Sequence, residues 1–135
     1  ERLAAALKPR GETCLLYGDQ DADERAAAVA LLAPGCPDRA ANLVGIERTG
    51  GMGLDLSGAS TTVHVSSDYS LMWRQQADAR PLGPNQKEPC AYFDFVATGP
   101  KGEKTVDHVV VKALRGKEDL ASWGGDRWAR ALEEE

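Results

Sequence analysis

The chain has 135 residues, 42% hydrophobic and 27% charged, with a mean hydropathy of −0.39, the balance of one globular domain or part of one. No apolar run approaches the roughly 20 residues that cross a bilayer, and no signal-peptide core opens the sequence, so membrane spanning and classical secretion are not expected. Sixteen Lys and Arg against 21 Asp and Glu leave a net charge of −5, which argues against a purely electrostatic nucleic-acid binder while leaving room for a few placed phosphate contacts. Cys14, Cys36 and Cys90 form no CxxC and have no paired histidines nearby. Neither a zinc site nor a disulfide framework follows, the thiols read as small apolar fillers, and a cytoplasmic location is expected.

In chain order, residues 1–8 read as a helix stopped by Pro9 and Gly11. Residues 13–17 form a short apolar run expected to be a buried strand. Asp21 and Glu24 stand in capping-box spacing ahead of an alanine-dense helix over 22–33, which the prolines at 34 and 37 end. Residues 42–46 form a second strand, followed by three glycines in four positions, Gly50-Gly51-Met52-Gly53. A third strand is expected over 61–65, where β-branched residues dominate. Helical spacing covers 70–80, with Leu71 and Trp73 offered to the core, and the proline-rich stretch 81–89 reads as a loop. Residues 90–98 form the clearest strand. After a polar turn at 99–104, a helix starts at Thr105 or Asp107 and runs to Leu114. The tail, 124–135, reads as a separate terminal helix or extension.

Helices alternating with short apolar strands predict an α/β fold, with a mostly parallel sheet and helices on both faces. A parallel α/β unit normally opens on a strand, so the sheet is expected to lack its first one. Ligands in such sheets sit at the carboxyl ends of strands, and two segments fall there. The first, Arg48-Thr49-Gly50-Gly51-Met52-Gly53-Leu54-Asp55-Leu56, has glycines that let the backbone come close to a phosphate, or that simply make a tight turn. A dinucleotide fingerprint would need a glycine where Leu56 stands. In the second segment Gln76 and Arg80 are i,i+4 neighbours, an amide and a guanidinium on one helix face. Such a pair suits a γ-phosphate, though taken by itself a solvated polar helix face is the commoner explanation.

These segments also carry a family resemblance. Tyr17-Gly18 through Glu24-Arg25, Thr49 to Leu56, Ser67 to Leu71, Gln76-Ala77-Asp78-Ala79-Arg80 with Gln86, the strand from Tyr92, Thr105-Val106-Asp107, and the stretch from Lys112 to Lys117 are similar, in order and spacing, to the second RecA-like lobe of superfamily-two DNA helicases of the Swi/Snf type, bacteriophage members especially. The resemblance spans nearly the whole chain. It implies a RecA-like three-layer sandwich over residues 1–123, and host cytoplasm if the protein is phage-encoded. It also implies that Gly51, Gly53, Asp55 and Arg80 face ATP, that Arg80 and Gln76 are the catalytic pair, and that Arg48, Thr49 and Gly50 face DNA. A departure stands at Gly83, where the family carries a second arginine: either Arg80 alone serves, Arg74 or Lys87 substitutes, or the lobe is catalytically impaired.

No GxxxxGK[ST] sequence is present, nor an Asp-Glu pair after an apolar strand to hold Mg²⁺. The resemblance places both on an N-terminal RecA-like lobe, in the same chain or a separate one. ATP and Mg²⁺ would be bound mainly there, with no metal site in this chain, and this chain alone would be inactive. The expected role is therefore the C-terminal lobe of an ATP-dependent DNA helicase or translocase. The rivals are a degenerate lobe that binds protein or nucleic acid without catalysis, and an independent Rossmann-like nucleotide-binding enzyme. Of the remaining residues, His64 reads as a structural histidine and His108 as a surface one. Trp123 and Trp128 read as packing the terminal helix onto the sheet, with base stacking as the alternative.

Overall fold

The computed structural model describes residues 1–34, 40–48, 54–117, 120 and 123–133. They form α1 (Arg2–Leu7), β1 (Glu12–Leu16), α2 (Ala22–Ala30), β2 (Ala41–Gly45), β3 (Thr61–His64), α3 (Leu71–Ala79), β4 (Ala91–Asp94), α4 (Val106–Arg115) and α5 (Gly125–Glu133). The chain divides into two compact units, Glu1–Thr62 with Gln76–Ala91, and Val63–Gln75 with Tyr92–Glu135.

The first unit is built on β1 and β2, which pair in parallel from Glu12 opposite Ala41 to Leu16 opposite Gly45. Both α1 and α2 lie against β1, and Ala4, Leu16, Ala28 and Leu31 are buried. The expected capping box is present: Asp21 Oδ1 accepts from the Glu24 backbone N–H at 2.8 Å, and the Glu24 carboxylate accepts from the Asp21 N–H at 3.4 Å. It satisfies two of the helix's orphan donors at once. Arg25 donates to the carbonyls of Gly18 and Gln20 and so holds the turn that follows β1. The helix stops at Ala30, three residues short of the expected end, because Leu32 and Ala33 bond back to Val29 and Ala30 in a tighter turn. The Leu32 carbonyl then accepts from Gly58 N–H at 2.9 Å. At Gly58 a β-carbon would lie 2.7 Å from the carbonyl oxygens of Leu32 and Ala33, so only glycine allows this approach.

The second unit is organised around α4. Val110, Ala113 and Leu114, at i, i+3 and i+4, form one buried stripe with Leu120, and Leu71, Trp123 and Trp128 pack against it. The tryptophans therefore pack on a helix rather than on the sheet. Three consecutive valines are indifferent helix formers, and the N-terminus is secured by a capping box in which His108 stands where Glu is usual. The Thr105 carbonyl accepts from the His108 backbone N–H at 3.0 Å, and His108 Nδ1 accepts from Thr105 N–H at 3.0 Å. His108 is thus a half-buried cap rather than a plain surface residue.

β3 and β4 form a second two-stranded sheet. It is parallel, with Ala91 N–H on Ser60 O at 2.8 Å and Phe95 N–H on His64 O at 2.9 Å. His64 is buried, 5% exposed, as its structural reading requires. β4 ends at Asp94, four residues before the expected limit. Its continuation is diverted to cap α4, Ala97 receiving the Thr105 hydroxyl on its carbonyl and giving its N–H to Asp107. Phe93 and Phe95 are 54% and 62% exposed, so the apolar run at 90–98 is not a strand buried on both faces.

Candidate nucleotide-facing site

β2 leads through Ile46, Glu47 and Arg48 into residues 49–53, so Thr49, Gly50, Gly51 and Gly53 lie outside the described residues. Both margins of that segment are described. On the far side, Ser57 N–H donates to Asp55 Oδ1 at 3.0 Å, a local turn that fixes the carboxylate. Asp55 is held below the ordinary carboxylate range by the Ser57 side chain and backbone N–H and by the Asn85 side chain, against an opposing effect of burial.

α3 ends at Ala79 and tightens into a 3₁₀ turn, Arg80–Leu82, with Pro81 in its first positions. Arg80 touches both margins of the glycine segment. Its Nη2 donates to the Glu47 carbonyl at 2.9 Å, and its own carbonyl accepts from Leu56 N–H at 3.2 Å. The half-buried guanidinium therefore lies at the carboxyl end of β2. Burial lowers its pKa and the Glu47 carboxylate opposes that shift; a guanidinium remains charged at neutral pH.

Gln86 makes a second connection. Its Nε2 donates to Ala59 O at 2.7 Å and to Pro81 O at 3.1 Å, while its backbone N–H closes on Gly83 O at 3.0 Å. Between these links lies Gly83, where an added β-carbon would stand 2.8 Å from Asp55 Oδ1 and 3.2 Å from Ser57 Cβ. Its φ of −62° is open to any residue, so space and not backbone conformation favours glycine.

The structure thus brings Arg80 together with the neighbours of Arg48 and Asp55, while Gln76 lies one turn earlier on α3, half-buried. Arg74, one of the candidates for a second arginine, is engaged within the second unit. Its Nη1 meets Asp94 Oδ1 at 2.6 Å, with the two side chains 9% and 3% exposed. Lys87 is exposed. In the second unit, Arg127 lies 4.1 Å over the Trp123 ring, and Trp128 packs edge-on to Tyr69 and tilted against Trp123. These rings are occupied by each other and by a cation, as in a packed cluster. Among the described residues no three His, Cys, Asp or Glu side chains gather to hold a metal ion, and no helix is long and apolar enough to cross a membrane. Sequence reasoning missed the clamp by Gln86 and the burial of Arg74; the only signal for the former was its place after Arg80.

No protein-family model matches the chain, and no curated protein matches it. Among solved structures it is similar to the C-terminal part of the Fun30 ATPase domain, with a TM-score of 0.68 at 13% identity. The match covers 98% of this chain and 41% of that one, so this chain spans less than half the length of the structure it matches. The fold is the mixed α/β fold, with parallel strands, of a RecA-like lobe, as the sequence predicts.

Proposed function

We propose that the chain is the C-terminal RecA-like lobe of an ATP-dependent DNA helicase or translocase of the Swi/Snf type. The observation that carries this reading is the position of Arg80 at the carboxyl end of β2, where its guanidinium donates to Glu47 O on one side of a glycine-rich segment and its backbone carbonyl accepts from Leu56 N–H on the other. The likeness to part of an ATPase domain supports it. ATP with Mg²⁺ would be held mainly by an N-terminal RecA-like lobe, which supplies the phosphate loop and the metal-binding carboxylates. The residues here suit the far wall of that site: Arg80 can donate to phosphate oxygens, and Gln76 stands one turn earlier on α3. Gly51, Gly53 and Asp55 would complete that wall. Arg48, Thr49 and Gly50 would face a DNA phosphate track, so that movement of the segment couples nucleotide state to DNA.

The test is nucleic-acid-stimulated ATP hydrolysis by the full-length protein. Arg80→Ala should lower turnover by about 10³-fold or more, the scale of an arginine that stabilises phosphoryl-transfer charge. Unchanged turnover would remove Arg80 from the site. Gly83 favours a second reading, a lobe that has lost catalysis and serves as a binding module, because it stands where the family carries its second arginine and a side chain there would press on Asp55 and Ser57. Full-length protein that binds DNA without hydrolysing ATP would establish it.

A further inference from the structure

The 3₁₀ turn that carries Arg80 is tied to its surroundings by a side chain beyond it. Pro81 has no N–H to give, and the turn has no side-chain cap at its start. The Gln86 amide, beyond the turn, donates to the Pro81 carbonyl within it and to the Ala59 carbonyl on the segment leaving residues 49–53. Glu88 N–H holds the other end of the same amide, donating to Gln86 Oε1 at 2.9 Å and fixing which atom faces the two carbonyls. Leu56 N–H to Arg80 O and Arg80 Nη2 to Glu47 O then hang from a turn already tied down.

From this geometry we infer that Gln86 is a positioning residue for Arg80: its amide locks the arginine-bearing turn to the exit of the glycine segment, so that the two move as one piece. The inference rests on the reading of Arg80 given above. A primary amide is needed because two carbonyl oxygens converge on one nitrogen. A carboxylate of the same size would set oxygen against oxygen, and shorter side chains would not span both segments. The arrangement also accounts for Gly83: with Asp55 fixed by Ser57 N–H at 3.0 Å, a side chain at 83 would press on the locked segment.

The experiment compares Gln86→Glu, Gln86→Ala, Gln86→Lys and Arg80→Ala in the full-length protein, measuring DNA-stimulated ATP turnover and the thermal melt of each. Misplacement of a reacting group by about 1 Å costs on the order of 10²-fold in rate. Gln86→Glu and Gln86→Ala should therefore lower kcat by about that factor with KM for ATP little changed. Gln86→Lys, which retains N–H donors, should recover part of the loss. If Arg80→Ala abolishes turnover while Gln86→Glu and Gln86→Ala leave it intact, the positioning role falls and the reading of Arg80 stands. Full turnover in Arg80→Ala overturns both. Unfolding of Gln86→Glu and Gln86→Ala alike, or a loss that appears in KM and is not relieved by Gln86→Lys, would make the residue merely structural and overturn the inference.

Discussion

Replacing Asp94 should unfold the chain far more readily than replacing the more visible of its two partners. The Asp94 carboxylate is 3% exposed and takes Arg74 on Oδ1 at 2.6 Å and Arg115 on Oδ2 at 2.7 and 3.1 Å. The two arginines differ in solvation: the Arg74 side chain is 9% exposed, that of Arg115 66%. Removing the carboxylate takes a buried, charge-paired acceptor from Arg74, a loss of about 3–5 kcal/mol. Arg115→Ala removes a partner that water replaces, a loss of about 0–1 kcal/mol. On a domain of this size Asp94→Ala should thus lower Tm by about 10–20 °C and Arg115→Ala by no more than about 5 °C. Urea denaturation gives both values directly, with unchanged m-values as the check that the same surface unfolds. A cost below about 1 kcal/mol for Asp94→Ala, or equal costs for the two variants, would refute the argument from burial. The pH dependence follows from the same group. Burial alone would raise the Asp94 pKa, but the hydrogen bonds and charges of Arg74 and Arg115 together outweigh it and hold the carboxyl below its ordinary value. Its contribution is therefore fully present above the unfolded carboxylate value of about 3.9 and is lost as pH falls from there through the depressed folded value. Asp94→Ala should lack that part of the acid transition.

Three further outcomes follow from local geometry. Asp21→Ala removes one half of the α2 capping box and should cost about 0.5–2 kcal/mol in chemical denaturation, with Asp21→Ser restoring most of it. His108→Ala should destabilise α4 by about 1 kcal/mol, while His108→Gln, which keeps an acceptor for Thr105 N–H, should cost less; thermal melts separate the two. Gly11→Ala would set its β-carbon against the Ala40 carbonyl oxygen, which already accepts from Glu12 N–H at 3.0 Å where β1 joins β2. It should cost at least about 1 kcal/mol, read as a lower urea midpoint.

What could be read in the sequence was local. The Asp21/Glu24 cap, the α4 start at Thr105 and the alternation of strands and helices each depend on residues a few positions apart, and spacing alone specifies them. The strand run at 90–98 misled because its apolar character says nothing of length: Ala97 is recruited by Thr105 and Asp107, and pairing ends with His64. Nothing near Arg74 in the sequence marks it as buried, because its partner stands 20 positions away on another element. In the candidate site, the sequence singles out Arg80 by its spacing from Gln76. Its tie to Glu47, 33 residues upstream, and the amide of Gln86 reaching Ala59, 27 residues upstream, belong to the fold and leave no pattern in the sequence.

The central claim is that the Arg80 guanidinium acts on a phosphate held by another lobe. Single-turnover hydrolysis of ATP by the DNA-bound full-length protein, wild type against Arg80→Lys, tests it most directly, because lysine keeps the charge and loses the planar donor fork. The account predicts that ATP still binds while the hydrolytic step slows by about 10²-fold or more. An equal hydrolytic rate in the two proteins would contradict it.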